Sequence, residues 1–116
     1  MPFEDEAACL LDILDSVEAI QRFVVGMDIE SFRCDEKARA AVERKLQVIS
    51  EAAIRLGDRA AEVCPQLPWR DIRGIGNWLR HQYDEVDVET IWNTIQDDIP
   101  VLHAEIARAL QKLKEK

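Results

Sequence analysis

The chain has 116 residues, 47% of them hydrophobic, which is enough for one core in one domain, residues 1–116, without disulfides or metals. A formal net charge of −8 argues against general affinity for nucleic acid, which comes largely from Lys and Arg displacing counterions, so any such role must use a local patch. Cys9, Cys34 and Cys64 are odd in number and lack CxxC spacing, which argues against a secreted disulfide framework and reads as small buried hydrophobes in a reducing cytosol.

The N-terminal stretch Phe3-Glu4-Asp5-Glu6 is acidic where a signal peptide needs base, and no apolar run approaches the roughly 18 residues that span a bilayer. A cytoplasmic protein that is neither exported nor membrane-embedded is expected. From Asp5 to Phe23, Leu10, Ile13, Leu14, Val17, Ile20 and Val24 recur at three- and four-residue intervals, the stripe of an amphipathic helix that Gly26 ends. A short turn through Asp28 to Phe32 leads to Asp35, an N-cap for a second long helix with Ala38, Val42, Leu46, Ile49, Ala53 and Leu56 on one face and its end near Ala61. Lys37, Arg39, Arg44 and Lys45 on it alternate with acids and read as a solvated face.

Cys64-Pro65-Gln66-Leu67-Pro68 is a loop, because two prolines remove donors and bias their predecessors away from helix. Trp69 to Ile72 is predicted as a short helical turn and Gly74 to Tyr83 as a further helix. Asp87 caps the last helix, whose inward stripe is Ile91, Ile95, Ile99, Leu102, Ile106, Leu110 and Leu113, with a bend at Pro100. The predicted architecture is all-α: an antiparallel bundle of three long helices plus a short motif helix. Trp78, Trp92, Ile75 and Leu79 exceed what three helices bury, which leaves two options: an exposed apolar patch that forms a homodimer, or burial within one subunit.

Polar chemistry concentrates in Gly74-Ile75-Gly76-Asn77-Trp78-Leu79-Arg80-His81-Gln82-Tyr83. At about 100 degrees per residue, Gly74, Asn77 and His81 fall on one stripe and Arg73, Gly76, Arg80 and Tyr83 on another. His81 is the candidate general acid or base, since its ordinary pKa lies near neutrality, with Asn77 one turn earlier to orient it. Arg80 and Arg73 are guanidinium forks suited to phosphate. Taken alone, a single helical histidine more often packs than reacts, and a tyrosine near a helix end is more often a packed ring. His103 has no polar cluster around it in sequence and reads as structural or solvent-facing. No His/Cys/Asp/Glu grouping has zinc-ligand spacing, so no metal and no cofactor is expected.

Pro68-Trp69-Arg70-Asp71-Ile72, Gly74, Asn77, His81-Gln82-Tyr83, Val86-Asp87, Ile91-Trp92 and Asp98-Ile99-Pro100-Val101-Leu102, together with Leu46-Gln47-Val48-Ile49-Ser50-Glu51-Ala52-Ala53, resemble the HepT-like branch of the HEPN superfamily over nearly the whole chain. The resemblance implies an all-helical, dimeric toxin of a type II toxin–antitoxin pair, partnered by an MNT-type nucleotidyltransferase antitoxin. It also implies metal-independent RNA cleavage through an arginine and a histidine, and adenylation of the tyrosine that corresponds to Tyr83. The chain departs from the family pattern at one place: the usual arginine directly before the asparagine is Gly76 here. Two readings follow. One is a ribonuclease toxin using His81, Arg80 or Arg73, and Asn77, with Tyr83 as a modification switch. The other is a non-catalytic helical partner or nucleotide-presenting subunit of a nucleotidyltransferase.

Overall fold

The computed structural model describes residues 2–80 and 87–115, with side chains from Glu6 onward. In chain order these form α1 (Pro2–Phe23), α2 (Ile29–Cys34), α3 (Glu36–Leu56), α4 (Arg59–Val63), α5 (Trp69–Arg80), α6 (Val88–Asn93), a π-helical turn (Thr94–Asp98) and α7 (Ile99–Lys114). Among the described residues there is no strand. The all-α expectation holds, with α1, α3 and α7 as the long helices and α5 as the motif helix. None of the described helices is long and apolar enough to cross a membrane.

α1 and α3 buried their predicted stripes against one another: Leu10, Ile13, Val17 and Ile20 meet Val42, Leu46, Ile49 and Ala53 in the core. The pair runs antiparallel. Arg55 donates to Asp12 at 2.6 Å near the end of α3, and just beyond it Arg59 donates to Glu6 at 3.1 Å, earlier on α1. α5 packs on the other side of α3, and α7 packs along α1. The interior is therefore continuous from α7 through α1 and α3 to α5.

Local chemistry sets most of the boundaries. Gly26, at φ +79°, follows the end of α1. The predicted turn at 28–32 is instead α2, because Asp28 and Ser31 close a reciprocal capping box: Asp28 Oδ1 accepts from the Ser31 N–H at 2.8 Å, and Ser31 Oγ accepts from the Asp28 N–H at 3.0 Å. Asp35 caps α3 as expected, accepting from the Ala38 N–H at 2.9 Å. α3 stops at Leu56 rather than near Ala61, because Gly57 turns to φ +59°, a conformation that side-chain-bearing residues resist.

The last helical segment divides where Pro100 requires it. Proline has no N–H to return to the carbonyl four residues back, and its ring crowds that carbonyl. The chain widens into a π turn in which the Ile99 N–H reaches the Thr94 carbonyl, and α7 then starts with Pro100 in its first turn. Cys9 and Cys64 are buried, as expected; Cys34, at the end of the short α2, is exposed.

Candidate functional site

Helix α5 is one continuous element to Arg80 rather than a turn followed by a separate helix. Its start is fixed by Trp69, which is buried and donates its indole N–H to the Cys64 carbonyl at 2.9 Å. The Ile72 N–H then closes onto the Pro68 carbonyl at 3.0 Å. Trp69, Ile72, Gly76 and Leu79 face inward, so a glycine occupies the middle of the buried stripe.

That glycine permits close approach to α3. The Ser50 hydroxyl donates to the Arg73 carbonyl at 2.7 Å and accepts from the Gly76 N–H at 3.1 Å. A Cβ added at Gly76 would lie 3.0 Å from Ser50 Oγ, tighter than ordinary contact, and 3.7 Å from Arg80 Nη1. The Arg80 guanidinium thus lies within ordinary contact distance of the face that Gly76 leaves bare.

Two stripes with the same spacing face each other at this point. Gln47, Ser50, Glu51 and Ile54 of α3 and Arg73, Gly76, Asn77 and Arg80 of α5 enclose a cleft of about 240 Å³. Three of the predicted site residues, Arg73, Asn77 and Arg80, are therefore brought together. Asn77 shares the arginine side instead of a separate stripe with Gly74, which lines a different groove. Arg73 is half-buried, and Asn77, Arg80 and Glu51 are exposed. Among the described residues neither arginine of the cleft forms an ion pair. The cleft so offers two guanidinium groups, two amides and a carboxylate, with the buried Ser50 hydroxyl beneath them already engaged. His81 and Tyr83 lie outside the described residues, His81 directly after Arg80 in the chain.

Ser50, Gln47 and Glu51 had no part in the expected site. Their signal was the polar shoulder they form beside the apolar stripe of α3, with Ser50 set inside it. Across α5 from the cleft is a larger apolar groove of about 650 Å³, to which Ile75 and Trp78 contribute. Trp78 is half-buried there, while Trp92 packs against Phe32 with ring centroids 5.3 Å apart, so the two tryptophans have separate settings. His103 has a partner, Glu18, at 3.1 Å across α1 and α7. Among the described residues no group of three or more His, Cys, Asp or Glu side chains could hold a metal ion.

Fold and cleft together define an all-helical protein in which a motif helix presses against the second long helix and exposes a basic, amide-bearing cleft beside the point of contact. The chain belongs to the HepT-like family, whose model, described as ribonuclease HepT-like, matches residues 13–109. Among its relatives, Probable ribonuclease HepT of Thermococcus cleftensis is 37% identical over 80% of this chain and 84% of its own length. A Methanocaldococcus jannaschii protein with a provisional RNase name is 35% identical over the whole of both chains. Another such protein, from Caldanaerobacter subterraneus subsp. tengcongensis, is 34% identical over 88% of this chain and 91% of its own. No solved structure gives a significant match.

Proposed function

We propose that the chain, as a single HepT-like domain, is a metal-independent endoribonuclease and the toxin of a type II toxin–antitoxin pair. Metal-free RNA cleavage needs a base to take the 2′-hydroxyl proton, an acid to protonate the leaving 5′-oxygen, and a fixed cation for the crowded phosphorane. The 2′-oxygen bonds to phosphorus as the bond from phosphorus to the 5′-oxygen breaks, leaving a 2′,3′-cyclic phosphate and a 5′-hydroxyl. In this reading His81 carries one of the two proton transfers. Arg80 supplies the cation, with Arg73 beside it and Asn77 as the orienting amide. The reaction calls on no cofactor.

The observation that supports the reading most is the position of Arg80 over Gly76, since the family's usual arginine at 76 is missing and a preorganised electrostatic contact of this kind is commonly worth about 100- to 1000-fold in rate. Regulation fits the same place. Adenylation of Tyr83 by an MNT-type nucleotidyltransferase antitoxin adds a bulky anion close in sequence to Arg80, and would oppose RNA by charge and volume as phosphorylation can. A cytoplasmic homodimer completes the proposal, and the apolar groove by Trp78 is available either to that dimer or to the antitoxin.

The second reading, a non-catalytic partner or nucleotide-presenting subunit of the nucleotidyltransferase, is favoured by Gly76 itself and by the net charge of −8. Expression of the chain alone separates the two. The ribonuclease reading predicts growth arrest and RNA cleavage in chelator, both lost in His81→Ala; a wild type that is harmless and cuts nothing without its neighbour supports the second. Mass spectrometry after co-expression with the adjacent nucleotidyltransferase tests the switch, which fails if the peptide carrying Tyr83 remains unmodified throughout.

A further inference from the structure

A buried serine in a helix usually satisfies its hydroxyl on its own helix, at the carbonyl four residues back. Ser50 does otherwise. It is 1% exposed amid Leu46, Ile49 and Ala53, and its hydroxyl crosses to α5, donating to the Arg73 carbonyl at 2.7 Å and accepting from the Gly76 N–H at 3.1 Å. In a regular helix both of those backbone groups already have partners within α5, so the two bonds tie helices together more than they relieve orphaned groups. The tie is made at the one residue of the buried stripe of α5 that has no side chain, and Arg80 Nη1 lies 3.7 Å from where that side chain would begin.

We infer that Ser50 is a positioning residue for the phosphate-binding cation of this protein, acting through Gly76. Its hydroxyl sets how closely α5 lies on α3, the bare Cα of Gly76 makes that spacing attainable, and the Arg80 guanidinium lies at contact distance over the same point, so the spacing fixes where it stands against α3. Ser50 touches no substrate. It fixes where the Arg80 charge stands. The inference rests on the proposed function for its ligand, single-stranded RNA.

The test uses the full chain and a short single-stranded 2′-O-methyl oligonucleotide, which presents phosphates but lacks the free 2′-hydroxyl that cleavage needs. Binding is titrated across salt concentrations for wild type, Ser50→Ala, Arg80→Gln and the double variant. Losing one phosphate contact on a single strand should reduce the slope of log affinity against log salt by about 0.7. The inference predicts that reduction in both single variants, with affinity about tenfold weaker in each and the double variant no weaker than Arg80→Gln alone, because the two changes remove one contact. A serine that merely stabilised the fold would lower the melting temperature and leave the salt slope unchanged.

Gly76→Ala provides a second route to the same spacing, since its Cβ would press on Ser50 Oγ at 3.0 Å and push α5 off α3, and it carries the test if Ser50→Ala does not fold; it should reproduce the reduced slope with Ser50 intact. The inference is overturned if the variant that folds keeps the wild-type slope and affinity, if the effects of Ser50→Ala and Arg80→Gln add, or if wild type does not bind the oligonucleotide. The ribonuclease reading is judged separately, by cleavage of unmodified RNA in chelator. Ser50-dependent binding without cleavage would sink that reading and leave this one standing.

Discussion

Gly74 and Gly76 lie two residues apart in α5, both with ordinary helical backbone, and alanine should act in opposite directions at the two sites. In a helix interior alanine is better than glycine by about 1 kcal/mol, from lower unfolded-state entropy and better propensity. At Gly74, which is exposed, a Cβ meets nothing within 4 Å, so the variant should gain most of that amount. At Gly76 the Cβ would lie 3.0 Å from Ser50 Oγ and 3.5 Å from Ser50 Cβ. Ser50 cannot swing aside cheaply, since it is 1% exposed and its hydroxyl holds two bonds. Overpacking a well-filled site costs about 1–3 kcal/mol. Weakening the bond to the Arg73 carbonyl adds about 1 kcal/mol. Against a gain of about 1 kcal/mol, the expected net is a loss of about 1–3 kcal/mol for Gly76→Ala. Urea unfolding followed by circular dichroism measures both variants against wild type. The reasoning is refuted if Gly76→Ala is as stable as Gly74→Ala, because the close approach of α5 to α3 would then not exist.

Other consequences are open to measurement. Asp87 caps α6 through the hydroxyl and N–H of Thr90, which hold its carboxyl below the ordinary carboxylate range. Its stabilising contribution is therefore present above the unfolded-state pKa and is lost as pH falls through the folded one, so Asp87→Ala should lower the melting temperature at neutral pH and lose that effect in acid. Burial, with Glu105 second, pushes the Cys64 thiol from its ordinary 9.0 up to about 11. Stability from this group is complete below pH 9 and is lost as pH rises toward 11, a decline that Cys64→Ala should flatten in melts across that range. In the native state a maleimide should label the exposed Cys34 and spare Cys9 and Cys64. Ile106→Ala, at a fully buried position, should cost about 2–5 kcal/mol in chemical unfolding.

The long helices were legible because their information is local. The stripes of α1 and α3 repeat at the helical period, and Asp35 and Asp87 cap where a short acceptor precedes such a stripe. The bend at Pro100 was also readable, since a missing N–H acts within one turn. Boundaries that turn on a single conformational choice were not readable: Gly57 could have continued the helix and instead takes φ +59°. Asp28 was likewise passed over as a cap, because α2 is too short to show a period.

The cleft follows the same division. Arg73, Asn77 and Arg80 stood out by residue type, yet their grouping on one face with Gln47 and Glu51 depends on how α5 rolls on α3. Within α5 alone, Gly76 reads as a helix breaker and a missing arginine; its packing role comes from a serine 26 residues away. Ser50, in turn, reads within α3 only as a polar interruption of an apolar stripe. Neither residue explains itself until the two helices are brought together.

The central claim is tested most directly by purifying the chain alone and incubating it with single-stranded RNA in excess chelator, beside His81→Ala and Arg80→Ala. The account predicts cleavage by wild type to 2′,3′-cyclic phosphate ends, its loss in His81→Ala, and a rate about 100- to 1000-fold lower in Arg80→Ala. Intact RNA with wild type, or equal cleavage by wild type and His81→Ala, would contradict it.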